Sequence, residues 1–168
     1  PSTSNSERKN TSVQMHSVEL PAVVQLSQNL LDKVSEVANT ARNASIEQEI
    51  FLQLSCYLER MVPICFELRG GRDTSPMTRE ILEALLREVD SAESIINVCH
   101  TKSKIYLVTH LKSLMKQLEK VVHNLGRSLS LIPQSSVQGH EDTKAVIDSL
   151  SRDMQKVHFE VKESDDRI

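Results

Sequence analysis

Aromatic residues are scarce in this chain of 168 residues: they make up 3% of it, and tryptophan is absent. Glycine occurs only four times and proline only five times, so residues of the kind that separate short strands are few. Leucine, valine, serine, glutamate and lysine are plentiful instead. This composition favours helices over sheets and predicts an all-α fold.

Long apolar runs are also missing. No stretch approaches the ~20 apolar residues that a membrane-spanning helix needs, and the N-terminus lacks the charged-then-apolar order of a signal peptide. The net charge is −3, whereas nucleic-acid-binding proteins carry a strongly basic surface. The three cysteines, Cys56, Cys65 and Cys99, lack the spacing of metal or redox motifs. We expect a soluble, cytoplasmic domain with buried, reduced cysteines and no nucleic-acid partner.

Motifs of enzymes and metal sites do not occur in the sequence. It contains no glycine-rich phosphate loop, no HExxH, no GxSxG and no calcium-binding loop. The six histidines have no partner at metal-ligand spacing. Cys99 and His100 are adjacent, but neighbours on a helix point about 100° apart and do not pair as nucleophile and base. We predict no catalytic residue, no metal site and no cofactor.

Apolar residues recur at steps of three and four along the first half of the chain, as on one face of a helix. The first helix presents Val23, Leu30, Val34, Val37, Ala41 and Ala44, with Leu26 or Ser27 bridging the one longer gap. Residues 45–48 have the form of a capping box that starts a second helix, and Gly70-Gly71 ends it through a left-handed cap. The second helix presents Ile50, Leu54, Tyr57 or Leu58, Met61, Ile64 or Cys65, and Leu68.

Pro63 lies inside the second helix, where it removes one backbone hydrogen bond and clashes with the carbonyl of Glu59. Because the apolar spacing continues in phase on both sides, we predict a kink rather than a break. The surrounding segment is almost continuously apolar. The bend is therefore expected to pack Phe66 or Ile64 into a gap against the third or fourth helix or the chain before the first. The alternative is a harmless kink on the exposed convex side.

Three more helices follow. Ser75 and Pro76 fit the N-cap and first residue of the third, and the fourth, the longest, covers about residues 103–131 before Pro133 stops it. A polar loop containing Gly139 leads to the fifth. The apolar face of the third helix is Leu82, Leu85 or Leu86, Val89, Ala92 and Ile96. That of the fourth is Leu111, Leu114 or Met115, Leu118, Val121 or Val122, Leu125, Leu129 and Ile132. That of the fifth is Val146, Leu150, Met154, Val157 and Val161. Short connections predict an antiparallel up-down bundle of four to five long helices, the second kinked at Pro63.

The domain boundaries follow from composition. Residues 1–17 are rich in Ser, Thr and Asn and cannot bury enough apolar surface to become ordered, so they are expected to be a flexible lead. Residues 18–168 are expected to form one helical-bundle domain, with mobile connections at residues 70–75 and 133–140. Because the chain begins with Pro1 and stops inside a charged run, we expect it to be a piece of a longer protein.

The fourth helix carries the most informative charge pattern. Between Cys99 and Ser130 the sequence has six basic residues and one acidic residue, Glu119, in an otherwise acidic chain. Lys112, Lys116 and Lys120 repeat at i,i+4 and so form one row, which we call the lysine stripe, and Arg127 follows it. The stripe is a solvated face, a contact for an acidic protein partner, or a contact for anionic lipid.

Two segments resemble the N-terminal helical domain of plant U-box E3 ubiquitin ligases. The first is the run Ser-Lys-Ile-Tyr-Leu-Val at residues 103–108, which leads to Leu-Ser-Leu-Ile-Pro at 129–133. The second is the Pro63 context at residues 60–69, similar to the proline-kinked second helix of that domain. The resemblance covers roughly residues 18–168.

The resemblance implies a parent protein with a U-box, which recruits the ubiquitin-charged conjugating enzyme, and armadillo repeats, which bind substrates. The parent is then expected to be a RING/U-box-type E3 ubiquitin transferase. For this chain the resemblance implies a non-catalytic docking and regulatory module. Its expected partners are proteins such as receptor-like kinases or membrane-trafficking components, in the cytoplasm at the inner face of the plasma membrane. Related helical bundles in plant cell-death proteins act on membranes, so the alternative is a membrane-surface bundle that binds anionic lipid through the stripe.

Overall fold

The computed structural model describes residues 2–72, 75–137 and 141–162, with side chains from Ala22 onward except that of residue 141. Within these ranges the chain is all-helical, as predicted. The α-helices are α1 (Ser2–Arg42), α2 (Gln48–Gly70), α3 (Pro76–Thr101), α4 (Lys104–Ser130) and α5 (Glu141–Lys156), and a short 3₁₀ helix spans Gln134–Val137. The prediction that the fourth helix is the longest is wrong, because α1 has 41 residues and α4 has 27.

Helices α1 and α2 run in opposite directions, since Arg42 pairs with Glu59 and Arg69 donates to Gln28, and so do α4 and α5. Lys144 near the start of α5 donates to the carbonyl of Ile132 just after α4, while the segment after α5 contacts the middle of α4 through Phe159 and Glu119. Helix α1 packs against α2 and α3, and α4 packs against α3 and α5. Because α5 also contacts α2, the five helices form a closed ring of neighbours. The predicted antiparallel bundle is confirmed. One neighbour relation differs from expectation, because α3 packs mainly against α1 rather than α2.

The hydrophobic core includes the residues that the periodicity of α1 to α4 selected, together with others such as Leu31, Ile81 and Ile95. One leucine from the predicted apolar face of each of these helices, namely Leu30, Leu54, Leu85 and Leu118, is essentially inaccessible to solvent. In α1 the longer gap is bridged by Ser27, which is buried, rather than by Leu26. Helix α2 adds Phe51, which its predicted face did not include.

Helix α5 departs from its predicted face at two points. Val146 is 45% exposed, and the neighbouring Ile147 is buried instead. The helix ends at Lys156, so Val157, buried as expected, and the half-buried Val161 lie in a non-helical segment. The face begins one residue later than predicted because two adjacent apolar residues fit the same spacing and only the second is buried in the core.

The ends of α2 differ from the predicted caps. Helix α2 begins at Gln48, and its N-cap Glu47 has a left-handed backbone (φ 44, ψ 47) with no capping hydrogen bond from its side chain, so the capping box is wrong. The helix ends at Gly70 as predicted, but Gly71 is extended (φ −76, ψ 168), so the left-handed C-cap is also wrong. At α3 the prediction is confirmed, because the Ser75 hydroxyl accepts a hydrogen bond from the backbone N–H of Thr78.

Pro63 is exposed within the uninterrupted helix α2. Ile64 beside it is buried, whereas Phe66 is 47% exposed and its ring lies under the guanidinium of Arg69, 4.7 Å from the ring centroid. Of the two residues expected to fill a gap, Phe66 is therefore excluded and Ile64 remains. The kink itself, and any role of the bend in packing Ile64, remain predictions.

Residues 1–17 were expected to form a flexible lead. Pro1 lies outside the described residues, and the backbone is helical from Ser2 onward, as the first turns of α1. Its flexibility in solution stays a prediction, as does the boundary at residue 18. Of the connections expected to be mobile, residues 73–74 and 138–140 lie outside the described residues. The 3₁₀ helix belongs to the second connection and packs against the bundle through the buried Ser136 and Val137. The hydroxyls of Ser136 and Thr78 lie 3.1 Å apart, in hydrogen-bond contact.

The cysteines occupy two kinds of environment. Burial raises the pKa of the Cys65 thiol to about 12. Burial, together with the negative charge of Glu47, raises the pKa of Cys99 to about 11. Cys56 is exposed on α2, so its predicted burial is wrong.

Candidate docking surface on the fourth helix

The start of α4 is fixed by a local cap. The hydroxyl of Ser103 accepts a hydrogen bond from the backbone N–H of Tyr106 at 3.2 Å, and the Ser103 carbonyl accepts from the N–H of Leu107 at 3.0 Å. A serine N-cap satisfies a donor that the first helical turn would otherwise leave unpaired. Residues 103–108, on which the family resemblance rests, therefore form the cap and first turn of this helix.

The leucine seam of α4 determines which side faces solvent. Leu111, Leu118, Leu125 and Leu129 all face the core. Residues that are offset from this seam by about half a turn must therefore point outward.

The lysine stripe and Arg127 lie on that outward side. All four residues are exposed, and Arg127, seven positions after Lys120, continues the same face. Arg127 donates from its guanidinium to the side-chain oxygen of Asn124 at 2.6 Å. The structure thus brings together the residues that the sequence selected as contacts; their binding role stays a prediction.

The acidic residue of α4, Glu119, is held by the segment that follows α5. Its Oε1 accepts a hydrogen bond from the backbone N–H of Phe159 at 2.9 Å and lies 3.5 Å from Nδ1 of His158. Among the residues that the structure describes, no carboxylate oxygen lies within 4.0 Å of Nζ of Lys116 or Lys120. The outward charge of these two lysines is therefore not cancelled by a close ion pair within the described chain.

Residues 157–162, which we call the C-terminal strap, are fastened to α4 at a second point. Nε2 of His123 lies 2.8 Å from the carbonyl oxygen of Val157, in hydrogen-bond contact. The side chain of Phe159, whose backbone N–H makes the contact with Glu119, is buried. Helical periodicity missed this residue, but Val157, Phe159 and Val161 alternate in the sequence with polar residues, and this alternation is typical of an extended segment.

A second feature of this surface lies at the N-terminal end of α4. Ile105 is 82% exposed and Val108 54% exposed, and none of residues 101–110 is buried. The rings of Tyr106 and His110 stack with centroids 3.9 Å apart and planes 8° apart. Nζ of Lys102 lies 5.3 Å from the centroid of the Tyr106 ring. Residues 103–108 carry the family resemblance, but their exposure was not predicted, although Ile105 lies out of phase with the seam that starts at Leu111.

The described ranges contain neither a metal-binding cluster nor a helix able to span a membrane. No group of three or more His, Cys, Asp or Glu side chains there is arranged to hold a metal ion. No helix in the same ranges combines the length and apolar character needed to cross a bilayer. What the outward side of α4 does offer is positive charge along most of its length and apolar surface at its N-terminal end.

Comparison with known proteins finds relatives in plants. The chain is 27% identical over 126 residues to U-box domain-containing protein 12 of Arabidopsis thaliana, a match that covers 73% of this chain and 19% of the relative. It is 25% identical over 145 residues to U-box domain-containing protein 13 of the same plant, covering 84% of this chain and 22% of the relative. A third match, to a putative U-box domain-containing protein 42, is 33% identical over 76 residues, 45% of this chain and 7% of the relative.

These matches confirm a relationship to plant U-box domain-containing proteins. The chain spans only about a fifth of the length of the first two relatives. No protein-family model matches it, and neither does a solved structure.

Proposed function

We propose that this chain is a non-catalytic docking and regulatory domain of a plant U-box-type E3 ubiquitin ligase, which binds partner proteins through the outward side of α4. The observation that carries the proposal is the exposure of Lys112, Lys116, Lys120 and Arg127 along one side of that helix. The similarity to plant U-box domain-containing proteins supplies the ubiquitin-ligase context.

The electrostatics of α4 support a partner of opposite charge. Like charges at i,i+4 on a helix destabilise it by about 0.2–0.5 kcal/mol per pair, and the lysine stripe contains two such pairs in a chain that has an excess of acidic residues. Negative groups of a partner would relieve this repulsion. Complementary charge would also accelerate association and disfavour basic competitors.

The wider activity belongs to the same proposal. The parent protein carries a U-box that recruits the ubiquitin-conjugating enzyme and armadillo repeats that bind substrates, and this domain brings regulatory partners to them. Receptor-like kinases and membrane-trafficking proteins are the partners we propose, in the cytoplasm at the inner face of the plasma membrane. The support for these details is the family resemblance at residues 103–108 and around Pro63.

The test is a comparison of two charge-reversed variants. The first carries Lys112→Glu, Lys116→Glu and Lys120→Glu, and the control carries Arg87→Glu, Arg152→Glu and Lys156→Glu, which changes the net charge equally at exposed sites on other helices. We expect affinity capture from plant lysate to recover protein partners with the natural chain and the control but not with the stripe variant, and recovery to fall as salt is raised.

Two outcomes contradict the proposal. Equal recovery by all three proteins shows that the stripe is only a solvated face. Failure to capture any protein, combined with flotation on phosphatidylserine-containing vesicles that the stripe variant loses, supports the membrane-surface function instead. Circular dichroism of each variant verifies that the helical fold is retained.

A further inference from the structure

The charged residues around the start of α4 are all basic. No acidic residue occurs between Glu93 and Glu119, whereas this interval contains four lysines and two histidines. The first turn of α4 also lacks an acidic residue, so nothing there offsets the positive end of the helix dipole. This end of the helix therefore favours a negatively charged neighbour.

The same end of α4 exposes apolar surface. We define the tip patch as Lys102, Lys104, Ile105, Tyr106 and Val108. Its two aliphatic side chains are one helical turn apart and both more than half exposed. Isolated exposed aliphatic residues are ordinary on protein surfaces, but here two adjoin a stacked Tyr106–His110 pair and a lysine over the Tyr106 ring. A partner that covered Ile105 would remove a largely exposed apolar side chain from water, which favours binding.

The tip patch and the lysine stripe form one continuous surface. Ile105, Val108 and Lys112 are related by steps of three and four, so they share a side of the helix, and Lys116 and Lys120 follow on it. The distance along the axis from Ile105 to Lys120 is about 22 Å, or roughly four helical turns. The apolar and basic parts thus lie end to end on a surface as long as a short helix.

We propose that this surface binds an acidic amphipathic segment of a partner protein, a refinement that rests on the proposed docking function. The partner places an apolar side chain over Ile105 and Val108, beside the Tyr106–His110 stack. Its carboxylates face Lys102 and Lys104 at one end and the lysine stripe along the rest. Apolar contact supplies affinity and register, because a segment with charge alone has no feature to mark its position along the stripe.

The test uses a defined probe and the whole chain. The probe is a fluorescein-labelled helical peptide of about 16 residues with leucines on one terminal turn and glutamates along the same side of the rest; a second peptide has serine in place of leucine. Fluorescence anisotropy measures the affinity of each. We expect the leucine peptide to bind at least tenfold more tightly than the serine peptide, and its binding to perturb the amide resonances of residues 102–120.

The matched variants are Ile105→Ser with Val108→Ser, and a control with Leu52→Ser and Val146→Ser, which are exposed aliphatic residues on α2 and α5. We expect the tip variant to lose at least tenfold in affinity for the leucine peptide and the control to lose less than twofold. Equal affinity of the tip variant and the natural chain, or no binding of the peptide, overturns the inference. Binding of phosphatidylserine vesicles through Ile105 and Val108 in the absence of peptide binding overturns it in favour of a lipid contact.

The lysine-stripe variant separates this inference from the proposed function. If that variant no longer captures protein partners while the tip variant still captures them and binds the leucine peptide, the inference fails and the docking function stands. If both variants capture partners as well as the natural chain does, both proposals fail.

Discussion

The hydroxyl of Ser151 on α5 donates a hydrogen bond of 2.7 Å to the backbone carbonyl oxygen of Gly126 on α4. The two helices approach closely here because residue 126 has no side chain. A Cβ at this position would lie 2.9 Å from the carbonyl oxygen of Ser151 and 3.0 Å from Cβ of Met154. A glycine inside helix α4 is therefore explained by packing, because the absence of a side chain at residue 126 allows α5 to approach closely.

Replacing Gly126 with alanine should destabilise the protein. Alanine favours a helix over glycine by about 1 kcal/mol, but the added methyl group must displace backbone atoms of α5, and such overpacking costs about 1–3 kcal/mol. We expect a lower free energy of unfolding in urea titration. Gly70→Ala is the control, because a Cβ there meets nothing within 4 Å. A stabilised Gly126→Ala variant would contradict the close approach of α4 and α5.

Leu118 on α4 is completely buried. Its truncation to alanine should lower the free energy of unfolding by about 2–5 kcal/mol, because both transfer energy and contacts around the new cavity are lost. The same truncation at the exposed Ile105 should change stability by less than about 0.5 kcal/mol. Thermal and urea denaturation of the two variants provide the measurement, and similar losses would contradict the assigned orientation of α4.

The three cysteines should differ in reactivity. The raised pKa values of Cys65 and Cys99 keep both thiols protonated at neutral pH, and the thiolate is the form that attacks an alkylating reagent. We expect N-ethylmaleimide to label Cys56 alone in the folded protein and all three after unfolding in urea. Mass spectrometry of proteolytic fragments identifies the labelled positions, and a Cys56→Ser variant should show no labelling while it is folded.

Removing the carboxylate of Glu119 should release the C-terminal strap from α4. In the Glu119→Ala variant the Phe159 N–H loses its acceptor, so its amide hydrogen exchange should accelerate at least tenfold, while exchange in the core of α4 stays slow. Lys120→Ala, a truncation of an exposed neighbour, should leave the strap unchanged. Unaltered exchange at Phe159 in the Glu119 variant would show that burial of the phenyl ring alone holds the strap.

Replacing Pro63 with alanine should raise the free energy of unfolding, by up to about 3 kcal/mol, because alanine can donate its N–H to the carbonyl of Glu59 and causes no ring clash. Gln53→Ala, at another exposed position on α2, is the control for helix propensity. A loss of stability would mean that the core depends on the proline. Weaker partner binding by a stable Pro63→Ala protein would show that the predicted kink affects binding, and unchanged binding would make the predicted kink incidental.

The parts of the fold that could be predicted are those that local chemistry determines. The seam around Leu118 repeats over many turns, so its period selects one face, and the predicted cap at Ser75 involves only residues within the next turn. The burial of Ile147 rather than Val146 could not be predicted, because both residues fit the spacing and tertiary packing decides between them. The left-handed Glu47 likewise depends on how the chain must turn between α1 and α2.

The candidate site divides in the same way. The outward placement of Lys112, Lys116 and Lys120 follows from their spacing against the leucine seam, so it could be predicted from the sequence. The exposure of Ile105 was missed, although its position out of phase with the seam that starts at Leu111 indicates an outward side chain. The attachment of Phe159 to Glu119 joins positions 40 residues apart, and no local pattern encodes such a distance.

The packing of α3 on α1 has a consequence for how the chain folds. The pairs α1/α2, α3/α4 and α4/α5 are hairpins of consecutive helices, whose loops are short and entropically inexpensive to close. The contact between α1 and α3 joins positions far apart in sequence; Lys33 and Glu93, for example, are separated by 60 residues. We therefore expect the hairpins to form early, as local contacts do in rapidly folding helical proteins. The slowest event would then be the docking of the α1/α2 hairpin onto the unit formed by α3, α4 and α5.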